Sequence, residues 1–134
     1  MIRCGAAPTF ATEFLLPDAR TSAAVTRITT YLHAQYGFVS AGRFPPHVTL
    51  AGSLPLAVTE ADLVAAVRDV ATRHPAVPVV NSGPRQLWDS VLAFDVHENG
   101  DGRPNSALVD LAVDVMETAR PRLGPAGDLP ADIH

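Results

Sequence analysis

The sequence predicts an α+β or α/β protein, in which helices pack against the face of a sheet. Two patterns carry this prediction. Several segments repeat apolar residues every three or four positions, as amphipathic helices do, and they alternate with short apolar runs rich in β-branched residues. Hydrophobic residues make up 47% of the 134 residues and charged residues 18%. This composition is typical of a chain with a folded core and excludes a disordered tail.

The first two elements precede a glycine at position 37. Residues 9–16 alternate in pattern and meet Pro17, which predicts a strand. Asp18 can cap a helix, and apolar residues recur at helical spacing through residues 19–35. Gly37 then ends the segment as a helix-terminating glycine does.

A second strand and a second helix follow two consecutive prolines. Residues 47–52 are short, partly β-branched and end in glycine, which suits a strand. Thr59 and Asp62 resemble a capping box with Asp in place of Glu, so a helix should begin there. Its apolar stripe predicts that it runs to about Arg73 and stops at Pro75.

The rest of the chain predicts a hairpin, a turn, a third helix and a tail. Residues 77–80 and 91–96 are apolar, β-branched runs that we expect to form the two strands of a hairpin. Residues 97–104 have turn composition, and residues 108–119 carry a helical stripe. Residues 128–134 resemble the start of a further strand.

Charge limits the partners that this chain can have. It has ten arginines, no lysine and fourteen carboxylates, which gives a formal net charge of −4. Affinity for long nucleic-acid tracts comes mostly from neutralising successive phosphates, so this balance argues against such tracts. A small anionic ligand held by a few directed groups fits the composition.

The compartment is inferred from the single cysteine and the N-terminal segment. Cys4 has no partner for a disulfide within the chain, so nothing indicates an oxidising compartment. Residues 1–13 are interrupted by Pro8 and by polar residues, which is a poor match to a signal peptide. No stretch approaches the ~20 apolar residues of a membrane span. We therefore expect a soluble, cytoplasmic protein.

The clearest chemical signal is a histidine and a threonine two residues apart. On the predicted strand, His47 and Thr49 share one face, while Val48 and Leu50 point into the core. Histidine titrates near neutrality and can transfer a proton, and a hydroxyl can donate a hydrogen bond to a phosphoryl oxygen. The pair suits phosphoester chemistry without a metal, although the same pair also occurs on ordinary, partly exposed strands.

The run at residues 46–50, Pro-His-Val-Thr-Leu, together with the element order, resembles the two-histidine (2H) phosphoesterase superfamily, which includes 2'-5' RNA ligase-like proteins and cyclic phosphodiesterases. The resemblance implies an α+β fold of two lobes, each an antiparallel sheet with flanking helices. It also implies two H-x-T/S motifs facing a common cleft. His47 and Thr49 match the first motif, and His134 falls where the second usually lies.

The sequence departs from the family pattern at its end. No residue follows His134, so the hydroxyl partner of the second motif and the rest of the second lobe are absent. We therefore expect residues 1–134 to be a single domain whose second lobe is incomplete, from a fragment of a longer protein. Half of such a pair of sheets would expose an unpaired edge.

The resemblance further implies a metal-independent phosphodiesterase without cofactors. Its substrate would be a cyclic phosphodiester, of the 2',3'-cyclic or ADP-ribose cyclic phosphate type, or a 2',5'-linked nucleotide or RNA end. Of His47 and His134, one would be the general base and the other the general acid, while Thr49 binds the non-bridging oxygens. The alternatives are a non-catalytic nucleotide-binding module of the same fold and an inactive truncated fragment.

Other candidate residues favour structural roles. Asp95 and His97 share a strand face and could be a metal pair, but the end of a strand entering a turn explains them better. His33 and His74 lie on or at the end of helices and suit structural roles. Trp88 could stack on a base, although a tryptophan beside a hairpin is more often part of the core.

Overall fold

The computed structural model of the chain describes residues 9–38 and 43–125. Within these residues the order is strand, helix, strand, helix, strand, strand, helix, as predicted. Two small sheets, β1 with β2 and β3 with β4, confirm the α+β prediction. The elements are β1 (Phe10–Leu15), α1 (Ala19–Tyr36), β2 (Val48–Pro55), α2 (Glu60–Arg73), β3 (Pro84–Leu87), β4 (Val91–Phe94) and α3 (Ser106–Ala119), with a 3₁₀ turn at Arg120–Arg122.

The chain divides into two compact units. Of the described residues, the smaller unit comprises 12–38 and 43–52, and the larger comprises 9–11 and 53–125. His47 and Thr49, the predicted histidine and threonine pair, both lie in the smaller unit.

Helix α1 is fixed at both ends by local signals. The Asp18 side chain accepts hydrogen bonds from the backbone N–H groups of Arg20 and Thr21, at 2.9 and 3.0 Å. At the other end Gly37 has a φ of 69°, which glycine adopts without steric cost, and its N–H donates to the His33 carbonyl. The predicted helix is confirmed and is one residue longer than expected.

Strands β1 and β2 run antiparallel. The Leu56 N–H, just after β2, donates to the Thr9 carbonyl, just before β1, at 2.8 Å. Further along β1, the Thr12 methyl lies 3.9 Å from the point where a Cβ on Gly52 would stand. Residues later in β1 therefore pair with residues earlier in β2, so the start of β2 lies alongside the end of β1.

Strand β2 continues past its predicted end through an irregular residue. Ser53 has a φ of 53°, in the left-handed region that residues other than glycine rarely adopt. A regular strand repeats its buried side every two residues, but here the buried residues are Ala51 and Leu54, three apart. The irregular residue therefore changes which side chains face the core.

Helix α2 begins with the capping box that the sequence predicts. The Thr59 hydroxyl accepts a hydrogen bond from the Asp62 N–H at 3.2 Å, and the Asp62 carboxylate accepts one from the Thr59 N–H at 3.3 Å. This reciprocal pair satisfies two backbone donors that a helix start would otherwise leave free. Asp therefore replaces Glu in the box without loss of either bond.

Helices α2 and α3 form the core of the larger unit. The apolar stripes predicted from the sequence supply it, because residues three and four apart share one face of each helix. Its buried side chains on these helices are Leu63, Val70, Leu108, Leu111, Val115 and Ala119.

A polar contact also joins these helices. His74, just after α2, bonds through Nε2 to the Asp114 carboxylate of α3 at 2.8 Å. This hydrogen bond, together with the nearby charge of Arg73, lowers the pKa of Asp114. The structural role predicted for His74 is confirmed.

The predicted hairpin is present, but the prediction of its first strand is wrong. Residues 77–80 do not form a strand, and β4 pairs instead with β3, in the register Pro84 with Phe94 through Leu87 with Val91. Residues 88–90 make the turn. The second predicted strand, residues 91–96, is confirmed over its first four residues.

A side chain from α3 explains the missing strand. Asn105 caps α3 by accepting a hydrogen bond from the Leu108 N–H, and its amide donates to the Pro78 carbonyl at 2.9 Å. Pro78 has no N–H to offer a sheet, and its carbonyl is held by Asn105. The apolar run therefore forms no strand, and Val79 and Val80 are exposed.

Trp88 does not lie in the core. It occupies the first position of the hairpin turn with a φ of 51°, and 82% of its surface is exposed. The core prediction for this residue is wrong, because the turn places the side chain beyond both strands. Within the described ranges, no helix combines the length and apolar character needed to cross a membrane.

Glu13 is a buried carboxylate on β1. It is 9% exposed, and neither carboxylate oxygen has a hydrogen-bond partner among residues 9–38 and 43–125. Burial removes water from the charged form and thereby raises the pKa of Glu13. By strand alternation its side chain lies on the opposite face of β1 from Thr12 and Phe14.

We expect Glu13→Gln to raise the free energy of unfolding at neutral pH, by about 1 kcal/mol. The raised pKa means that the folded chain binds the proton more tightly than the unfolded chain. The stability that the wild-type fold gains from the proton on Glu13 is complete below the ordinary pKa of 4.5. It is lost as the pH rises through the raised pKa. Glutamine does not titrate, so the variant lacks that loss.

Urea unfolding of both proteins at a series of pH values measures the difference. The exposed Glu98→Gln variant is the matched control and should follow the wild-type curve. Identical pH dependence in wild-type and Glu13→Gln protein contradicts a carboxyl that is costly to ionise in the fold.

Candidate active site

His47 and Thr49 lie in the smaller unit, two residues apart at the start of β2. His47 immediately precedes the strand, and Thr49 is its second residue. Both side chains are exposed, whereas Val48 and Leu50 between and beside them are half-buried. This alternation agrees with the two faces that the sequence predicts, although neither apolar residue is fully buried.

The imidazole of His47 is held by a backbone carbonyl. Its Nδ1 lies 2.6 Å from the carbonyl oxygen of Pro45. A carbonyl oxygen only accepts, so Nδ1 carries the proton and donates. In the neutral ring the lone pair is then on Nε2, which has no partner among the described residues. His47 can therefore take up a proton at Nε2, and it can return the proton from the same atom.

Two prolines fix the position of that carbonyl. The ring of each proline sets its own φ, and Pro46 also confines Pro45 to extended conformations. The Pro45 carbonyl and the His47 backbone are thus separated by one residue with little rotational freedom. In the Ser-His-Asp triad a carboxylate orients the histidine. Here, within the described part of the chain, a carbonyl takes that place.

Two phenyl rings lie against the imidazole. The ring centroid of Phe14, on β1, is 4.3 Å from that of His47, with the planes inclined by 54°. Phe44 is 6.3 Å away in an edge-on arrangement at 67°. Both phenyl rings are partly exposed, at 44% and 59%, so the cluster is at the surface of the unit.

The Thr49 side chain has a defined direction. Its methyl carbon lies 3.5 Å from the point where a Cβ on Gly52 would stand. Since the methyl group is directed towards Gly52, the hydroxyl occupies another staggered position. No group in residues 9–38 or 43–125 forms a hydrogen bond with this hydroxyl. It is available to donate to a ligand.

His47 and Thr49 are predicted site residues, but the sequence analysis does not predict the groups that surround them. A signal for the contact with the Pro45 carbonyl is present in the sequence, because two prolines directly before a histidine restrict the backbone. The contact with Phe14 depends on the pairing of β1 with β2, which no local pattern encodes. His134, the third predicted site residue, lies outside the described residues, as does the predicted strand at 128–134.

The weaker candidates have structural partners. The Asp95 carboxylate pairs with Arg85 at 3.1 Å and accepts a hydrogen bond from the His97 N–H at 3.0 Å. It thus closes the end of the hairpin. His33 donates from Nδ1 to the Phe38 carbonyl, which fits its predicted structural role. Within the described ranges, no group of three or more His, Cys, Asp or Glu side chains could hold a metal ion.

The chain is thus an α+β protein in which a histidine and a threonine hydroxyl lie at the start of one strand of a small sheet. The family model of the 2'-5' RNA ligase superfamily matches residues 17–126, well over half of the chain. The chain belongs to this superfamily, which confirms the resemblance to the two-histidine phosphoesterases. The match includes His47 and Thr49, begins after Phe14 and ends before His134. No curated protein and no solved structure gives a significant match.

The hydrogen bonds predict the tautomers of three histidines. At a pH where the rings are neutral, His47 and His33 should carry the proton on Nδ1, since each donates to a carbonyl. His74 should carry it on Nε2, which faces the Asp114 carboxylate. Long-range ¹H–¹⁵N NMR spectra distinguish the two forms. A His47 ring protonated on Nε2, like that of His74, contradicts the assigned site.

Proposed function

We propose that this chain is a metal-independent phosphodiesterase, which hydrolyses a cyclic phosphodiester or a 2',5'-linked nucleotide by histidine acid/base catalysis. Membership of the 2'-5' RNA ligase superfamily supports the reaction class. The observation that carries the proposal is the His47 imidazole, whose Nδ1 donates to the Pro45 carbonyl while Nε2 has no partner among residues 9–38 and 43–125. The Thr49 hydroxyl stands two residues away on the same exposed side.

The proposed reaction adds one water molecule across a P–O ester bond. The water oxygen bonds to phosphorus as its proton passes to the Nε2 of one histidine. The bond from phosphorus to the ribose oxygen breaks, and that oxygen receives a proton from the second histidine. The products are a phosphomonoester and a free hydroxyl. We propose His47 for one of these roles and His134 for the other.

Thr49 is proposed to bind the phosphoryl group. Its hydroxyl would donate to a non-bridging oxygen, where negative charge increases as the water attacks. Such a donor stabilises the transition state more than the bound substrate, so it should act chiefly on kcat.

The composition supports a small substrate. Without lysine and with a net charge of −4, the chain suits one phosphate bound in a local site, not a long backbone. We propose a small nucleotide or an RNA end, encountered in the cytoplasm.

We expect His47→Ala to lower turnover of a 2',3'-cyclic nucleotide by about 10²–10⁴-fold, since one acid/base group is lost. The assay contains EDTA, in which the wild-type protein should keep its activity. His97→Ala is the matched control, because it removes another exposed imidazole, and it should retain wild-type turnover.

Circular dichroism of both variants should show an unchanged fold. Equal turnover by the wild-type protein and His47→Ala would overturn the proposal. Binding of the nucleotide without turnover by any of the three proteins would instead favour a nucleotide-binding module.

We expect Thr49→Val to lower kcat by about 10²-fold, as the loss of one transition-state donor does. Valine keeps the branched shape that packs near Gly52 and removes only the hydroxyl. Thr49→Ser keeps the hydroxyl and should stay within a few-fold of the wild type. If serine and valine reduce kcat equally, the methyl group and not the hydroxyl is the important part.

A further inference from the structure

The contact between Phe14 and His47 joins two strands at the candidate site. Phe14 lies near the end of β1, and His47 directly precedes β2. Their ring centroids are 4.3 Å apart, which is closer than the 6.3 Å between Phe44 and His47. The first contact comes from the neighbouring strand, whereas the second comes from the same segment as the histidine.

The hydrogen bond to Pro45 leaves one freedom that this contact can restrict. Because the acceptor is a carbonyl only two residues away, the bond fixes the Nδ1 atom but allows the exposed imidazole plane to tilt about it. A tilt about Nδ1 displaces Nε2, the atom that would exchange a proton with water or substrate. A phenyl ring packed against the imidazole limits that tilt, since aromatic pairs prefer inclined or offset arrangements.

We infer that Phe14 is a positioning residue: its ring fixes the plane of the His47 imidazole and thereby the direction of Nε2. Phe14 acts through His47 and does not itself touch the reacting atoms. The consequence for catalysis rests on the proposed phosphodiesterase function. Phe14 lies outside the segment matched by the family model, whereas His47 lies within it.

The test compares Phe14→Leu with the wild-type protein. Leucine keeps an apolar side chain but removes the aromatic ring. We expect kcat on a 2',3'-cyclic nucleotide to fall about 10-fold with KM within twofold, because misplacing a proton-transfer group slows chemistry more than binding. Phe14→Tyr restores a ring and should restore kcat.

The matched control is Phe38→Leu. Phe38 is an exposed phenylalanine of the same unit, and its ring contact is with Tyr36 at 6.1 Å. This variant should keep wild-type kcat. Phe44→Leu should have a smaller effect than Phe14→Leu, in line with the longer distance. Phe14→Met, which also lacks a ring, replaces Phe14→Leu in the comparison if that variant fails to fold.

NMR provides a readout that does not depend on activity. Residual dipolar couplings of the His47 ring C–H bonds report the direction of the imidazole plane, and they should change in Phe14→Leu and keep their wild-type values in Phe14→Tyr and Phe38→Leu. Unchanged His47 couplings in Phe14→Leu overturn the positioning role. So does a kcat equal to that of the wild type.

The two proposals fail in different ways. If the wild-type protein turns over no phosphodiester but the His47 couplings still change in Phe14→Leu, the positioning of His47 stands and the enzymatic proposal falls. If turnover is present and Phe14→Leu lowers kcat without altering the His47 couplings, the role of Phe14 as a positioning residue is overturned.

Discussion

The hydrogen bond from His47 Nδ1 to the Pro45 carbonyl determines what the candidate site can do. An imidazole has two nitrogens, and a histidine on a surface ordinarily exchanges between its two tautomers. Here a 2.6 Å bond to a group that only accepts fixes the proton on one nitrogen. The other nitrogen is then ready for proton transfer. The two prolines before the histidine provide this constraint from the local backbone.

The pairing of β1 with β2 builds the rest of the site around that bond. Its antiparallel direction brings Phe14 against His47, and the same face of the strand carries the Thr49 hydroxyl. The opposite face of β1 holds Glu13, whose carboxylate has no partner among the described residues. One short strand therefore combines a site-facing aromatic with a buried acid that opposes stability at neutral pH. The fold tolerates the buried Glu13, while Phe14 orders the imidazole of His47.

Local features of the structure could be predicted from the sequence, and features that depend on distant contacts could not. The Thr59 cap and the three helices follow from residues three or four positions apart. The strand predicted at residues 77–80 is absent because Asn105, far along the chain, holds the Pro78 carbonyl. The site divides in the same way. The spacing of His47 and Thr49, together with the resemblance of the surrounding run to the two-histidine phosphoesterases, predicts them as site residues, whereas the contact with Phe14 depends on strand pairing.

Titration with a product-like nucleotide shows whether His47 and Thr49 together bind a phosphoryl group. Adenosine 2'-monophosphate is titrated into isotopically labelled protein, and the histidine ring and backbone amide signals are followed by NMR. We expect the His47 Nε2 and Thr49 amide signals to shift together and saturate, while the signals of His33 stay in place. If His33 shifts as much as His47, or if the His47 signals do not move at saturating nucleotide, then His47 and Thr49 do not bind the phosphoryl group.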